Sequence, residues 1–103
     1  MTNFVLLYSG GSVPETEAEQ AAVMAAWGAW MGGIGAAMVD GGNPTSASKG
    51  VSADGSVGDP AVVGVSGYSI VSAETMDAAV AIAQGCPILQ GGGQVSVYET
   101  FAM

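Results

Sequence analysis

Histidine is absent from the chain, and cysteine occurs once, at Cys86. Without histidine there is no side chain whose ordinary titration lies near neutrality, so the usual general base and the commonest metal ligand are both missing. One cysteine excludes an intrachain disulfide, and a zinc site built from one thiol and scattered carboxylates would be unusual. The low cysteine count fits a reducing compartment, so a cytoplasmic location is expected. No motif implies a cofactor. Positive charge is almost absent too: Lys49 is the only Lys or Arg, set against 9 Asp and Glu, for a net charge of −8. Such a chain cannot neutralise a series of phosphates, which argues against nucleic acid and anionic membrane surfaces as partners. Its acids are read mainly as solubilising surface.

Aromatic residues make up only 7% of the chain, while 17 residues are glycine and half are hydrophobic. The 103 residues therefore form one domain, 1–103, with a core built mostly of Ala, Val and Gly. A core of that size is near the limit for standing alone, so oligomerisation is expected. Residues 21–39, AAVMAAWGAWMGGIGAAMV, carry no charge and contain a GxxxG spacing at Gly28 and Gly32. Ala and Gly dominate this stretch, acids flank it and basic anchors are missing, so it is read as a non-membrane helix. The N-terminal MTNFVLLYSGG lacks the positive charge and apolar length of a signal peptide.

What is present reads as an alternation of strands and helices. NFVLLY at 3–8 is apolar on both alternating faces, with Phe4, Leu6 and Tyr8 on one and Val5 and Leu7 on the other. After a loop at SGGSVP, Thr16 and Glu19 form a capping box, and Glu15, Glu17 and Glu19 suit the positive end of a helix dipole. The helix should run to about Met31, with an inward stripe of Gln20, Val23, Met24, Trp27, Trp30, Met31 and Ile34. Gly32, Gly33 and Gly35 weaken and end it, and Ala36 to Asp40 forms a short strand. Asp54-Gly55 marks a small edge hairpin between runs at about 48–52 and 56–58. AVVGVSGYSIVS at 61–72 is a longer strand, and Thr75 caps a second helix over 76–84. Gly85 is expected as its left-handed terminator, with Pro87 preventing continuation. Val95 to Phe101 forms the last strand.

Strand, helix, strand, hairpin, strand, helix, strand is the α+β, ferredoxin-like split βαβ pattern with an antiparallel sheet. Both helices would cover one sheet face, leaving the other to water. That second face carries Val5, Leu7, Val65 and Val71 or Tyr68 and Ile70, too apolar to stay wet. Two sheets packed across a two-fold axis would cover it, so a homodimer with a barrel-like shared core is expected.

The stretches FVLLYSGG, AAWGAWM, MVDGGNP, SGYSIVSAETMDAAVAIAQGCPIL and QVSVYE resemble the YCII-related family, and within it the DGPF-domain group. The resemblance implies a dimeric α+β barrel on a ferredoxin-like subunit, in a family whose biochemical role is largely unassigned. Some relatives are linked with a His–Asp pair, others with alternative sigma factors. The group's Asp-Gly-Pro-Phe tetrapeptide is replaced here by Gly58-Asp59-Pro60-Ala61, and only Pro60 matches in register. Without histidine, a His–Asp mechanism cannot operate, which leaves Asp40 as the acidic half of such a site.

Each candidate residue has an ordinary structural explanation beside its functional one. Cys86 follows a helix C-terminus, where the dipole raises a thiol pKa, and no base can activate it, so it is read as a buried small residue. Asp40 stands at a strand end, where a partly desolvated carboxylate can act as general base; the alternative is an Asx-turn. Trp27 and Trp30 are either core packing or an aromatic wall for a small apolar or planar ligand, and Tyr8 and Tyr68 either sheet-face core or contributors to the same cleft. Gly91 to Gly93 precede a strand instead of a helix N-terminus, so GCPILQGGG is read as a joint, not a phosphate loop. The expected function is binding of a small organic molecule between sheet and helices, with proton transfer by Asp40 if there is catalysis. The alternative is a non-catalytic interaction or regulatory module with a packed interior.

Overall fold

Strand β1, Thr2–Ser9, is apolar enough on both sides to take the middle of a sheet, and it does. In the computed structural model, which describes residues 1–11 and 14–102, β1 pairs antiparallel with β5, Val65–Ala73, and on its other side with β6, Gln94–Glu99. Ser12 and Val13, part of the loop expected after β1, lie outside the described residues. The short β2, Met38–Asp40, pairs antiparallel with the outer side of β5, giving the order β2-β5-β1-β6. Beyond β2 the chain keeps to the same edge: Tyr68 N–H donates to Asn43 O at 3.3 Å and Thr45 N–H to Ser66 O at 3.0 Å. Pro44, which has no N–H to give, bridges Gly67 between those bonds.

Helix α1, Glu17–Ile34, starts as the capping box requires. Thr16 Oγ1 accepts from Glu19 N–H at 3.1 Å, while Glu19 Oε2 accepts from Glu15 N–H at 3.0 Å. It ends three residues later than expected, passing through Gly32 and Gly33 and stopping at Gly35, whose φ of 62° lies where other residues are strained. Glycine costs a helix interior only about 1 kcal/mol per residue, so a glycine pair weakens a helix without ending it. A 3-10 turn, Gly35–Ala37, replaces the first part of the strand expected from Ala36. Helix α2, Met76–Ala83, is capped by Thr75 Oγ1, which accepts from Ala78 N–H at 3.1 Å.

Both helices pack on the sheet face that carries Phe4, Leu6 and Tyr8 from β1 and Val71 and Ala73 from β5. Ala79 and Ala83 of α2 and the thiol of Cys86 complete the buried core, with Trp27, Trp30, Ile82, Val95 and Val97 against it. On the other face, Val5, Leu7, Tyr68 and Ile70 are half-buried. Val71 belongs to the helix-covered face and Val65 pairs with Ser9 beyond a bulge, so the apolar stripe away from the helices is Val5, Leu7, Tyr68 and Ile70.

Four sequence expectations change here. The α1 stripe is inward only in its second half: Glu17 through Ala25 are exposed, including Val23 and Met24. The exposed half is rich in alanine, whose methyl group gains little from burial, whereas the two indoles gain most. The strand expected from residue 61 begins at Val65, because β1 ends at Ser9 and leaves Ala61 to Val63 no neighbour to pair with. The last strand stops at Glu99, and Phe101 is 84% exposed. Gly85 is not left-handed; its N–H donates to Ile82 O at 3.2 Å, and its missing side chain makes room for the Trp30 ring.

The expected hairpin is present as a separate ribbon of β3, Gly50–Val51, and β4, Val57–Gly58, turning at Asp54-Gly55. Cys86 leads into a 3-10 turn, Pro87–Gly91, that delivers the chain to β6, so the segment is a joint. No helix among the described residues is long and apolar enough to cross a membrane.

Candidate functional site

Tyr8 is the last inward residue of β1 and opposes Gly67 of β5, which leaves its ring room on the covered face. Its hydroxyl donates to Ser69 Oγ at 2.7 Å, and Ser69 Oγ donates on to Gly41 O at 2.8 Å. Among the described residues, Ser69 is the only buried polar residue on that face, and the relay satisfies it. The relay also ties the β2 end to the centre of the sheet. The Cys86 thiol is a further neighbour of the Tyr8 hydroxyl.

Burial pushes the Tyr8 phenol up to about 12; the Ser69 hydrogen bond opposes the rise and the neighbouring Cys86 adds to it. Burial likewise raises the Cys86 thiol above its ordinary value, partly offset by the Ile88 backbone and the Tyr8 hydroxyl. The direction matches the sequence expectation for Cys86, but its leading cause is loss of water instead of the helix dipole.

The Tyr8 ring meets Trp27 edge to face at 5.3 Å, and Trp27 meets Trp30 the same way at 5.6 Å. The cleft beside Tyr8 and Trp27 has a volume of about 360 Å³. Met31 and Ile88 extend its apolar wall, the Gly41–Pro44 turn forms the opposite side, and Ser66 through Tyr68 of β5 form the floor. Gly42 must be glycine here, since a methyl group on it would overlap the Tyr68 carbonyl.

Of the residues expected at the site, Tyr8, Trp27 and Tyr68 are brought together. Trp30 stands behind Trp27, outside the cleft, with its indole N–H donated to Ile82 O at 3.1 Å. Asp40 immediately precedes the cleft wall but is exposed, and its Oδ1 accepts from Gly42 N–H at 2.8 Å. That is the Asx-turn weighed against the general base in the sequence. Tyr68 pairs with Leu7, so it joins the cleft from the strand edge rather than from the covered face.

Met31, Ile88, Ser69 and the Gly41–Pro44 turn were not expected as site residues. Ser69 had a signal, a lone hydroxyl in an inward register between Gly67 and Val71. Ile88 had none, because its position depends on how the Pro87 turn packs. No protein-family model matches the chain, and no curated protein or solved structure matches it.

Proposed function

We propose that this chain is a YCII-related, DGPF-like cytoplasmic protein that binds a small organic molecule in the cleft beside Tyr8 and Trp27. Its subunit is ferredoxin-like and pairs with a second copy into a dimeric α+β barrel. The observation that carries the binding reading is the cleft itself, about 360 Å³ with Tyr8, Trp27 and Tyr68 on its walls, within the usual size of small-molecule sites. The dimer reading is supported by the strand order β2-β5-β1-β6 and by the apolar face of Val5, Leu7, Tyr68 and Ile70. Acid–base chemistry by Asp40 requires its carboxylate to leave the Gly42 N–H and turn toward the cleft.

A metabolite thermal-shift screen on the wild type and Trp27→Leu tests the binding reading. Compounds that raise the wild-type Tm should lose that effect in the variant. Hits that stabilise both proteins equally, or a screen with no hits, would remove it.

A second reading is a non-catalytic interaction or regulatory module. It is favoured by the Trp27–Trp30 stack, by the satisfied indole of Trp30 and by the solvent-facing carboxylate of Asp40.

A further inference from the structure

We infer that the cleft selects a small organic cation, an alkylammonium or aromatic ammonium group, over neutral and anionic molecules of the same shape. The inference rests on the binding reading above and adds the charge class of the ligand. Its basis is an electrostatic asymmetry around the cleft. No Lys or Arg lines it, and Lys49, the only one in the chain, is elsewhere. Neither helix start contributes to the wall: Thr16 opens α1 and Thr75 opens α2, and both are absent from the lining. At the Gly41–Pro44 turn, the Gly42 N–H is already given to Asp40 and Pro44 has none. The wall holds no cation, and its side-chain donors, among them the Asn43 amide and the unpartnered Ser66 hydroxyl, are neutral, so an anion would leave water without gaining an opposite charge.

A cation meets the opposite situation. Tyr8 and Trp27 supply aromatic rings from the covered sheet face, and ring faces attract positive charge. The Tyr8 hydroxyl is turned to Ser69, so what Tyr8 offers the cleft is its ring. Asp40 stands one residue before the wall, its Oδ1 held by Gly42. On the other side of Trp27 and Ile88, a groove that shares those two residues is lined by Glu15 and Glu19. Asp40, turned onto its own loop beside the wall, and Glu15 and Glu19, in the neighbouring groove, add local negative charge within a chain of net charge −8 that draws cations toward it.

Benzylammonium, benzyl alcohol and benzoate share a ring and differ in charge, so they separate shape from charge. Titrations followed by amide chemical shifts of Gly41, Gly42 and Gly67 and by the Trp27 indole should rank benzylammonium first, roughly fivefold tighter than benzyl alcohol, with benzoate last. The amides of Glu74, just before α2, and Asp77, in its first turn, lie outside the cleft lining and should stay still, so they mark adventitious surface binding. Asp40→Asn should weaken benzylammonium and leave benzyl alcohol unchanged. Benzyl alcohol or benzoate binding as tightly as benzylammonium, equal losses for both probes in Asp40→Asn, or shifts confined to Glu74 and Asp77 would each overturn the cation assignment. The first two leave the cleft standing as a binding site. Failure of all three probes to move the cleft amides would overturn the binding reading as well.

Discussion

The indole N–H of Trp30 on α1 donates a 3.1 Å hydrogen bond to the carbonyl of Ile82 on α2, 52 residues away in sequence. The bond sits in the last turn of α2, on a carbonyl that also accepts from the Gly85 N–H at 3.2 Å. It holds the two helices together on the sheet and brings the ring against Gly85. A Cβ added at Gly85 would lie 3.3 Å from Trp30 Cδ1 and 3.4 Å from Nε1. Because the ring is held by Ile82, it cannot retreat without lengthening that bond.

Gly85→Ala is therefore expected to destabilise the fold by about 1 kcal/mol, as overpacking does. Its cost should fall in a Trp30→Phe background, where the ring is smaller and the Ile82 bond is already gone. Urea denaturation of the two single variants and the double variant measures this coupling. Strictly additive costs would show that Gly85 and Trp30 do not constrain each other.

Tyr8 makes stability depend on alkaline pH. Its folded pKa is raised to about 12 from 10.0, so between those values the unfolded chain loses a proton that the folded chain keeps. The linkage sign is negative: this stabilisation is complete below about pH 10 and is lost as pH rises toward 12. Cys86, also raised, adds a loss of the same sign above the ordinary thiol range. Phenolate absorbance should show one tyrosine ionising near 12, missing in Tyr8→Phe. That variant should also be less stable at neutral pH by about 1–2 kcal/mol, since Ser69 loses its donor in a buried site.

Asp40→Ala should cost about 1 kcal/mol by leaving the Gly42 N–H without its partner. Asp40→Asn keeps a carbonyl oxygen in the same place and should lose less than half of that. Thermal melts of both variants distinguish turn formation from charge: equal losses would mean that the carboxylate charge, not the turn, is what matters.

Leu7→Glu places a charge on the sheet face away from the helices, among Val5, Tyr68 and Ile70. If that face is the surface between two copies, sedimentation should give a dimer for the wild type at low micromolar concentration and a monomer for the variant. A folded wild-type monomer would sink the dimer reading but not the cleft.

Much of the fold is legible in local pattern. The capping threonines Thr16 and Thr75, the Asp54-Gly55 turn and the two-sided apolar run of β1 announce themselves through near neighbours. Boundaries read from composition were less secure. Gly32-Gly33 looked like a helix end, although only a backbone that turns left-handed, as at Gly35, ends it. Ala61 to Val63 looked like strand because valine suits strands, but a strand also needs a partner, and β1 had run out. At the site, the aromatic residues were legible and their arrangement was not. Tyr8 and Trp27 stand edge to face at the cleft, whereas Trp30 is the buttress behind them.

The sequence by itself determined the inventory: a chain without histidine and with one cation, two helices interleaved with strands in an α+β order, and aromatic residues on inward registers. Those follow from side-chain chemistry and from periodicities of 2 and 3.6 residues, which are local properties. Only the tertiary structure decided that Tyr8 would bond Ser69 across 61 residues and that Ser69 would reach Gly41. It alone turned the Asp40 carboxylate onto its own loop instead of toward the aromatic cleft. Those outcomes depend on which distant segments share a face once the sheet is assembled, and no short window of sequence contains that distance.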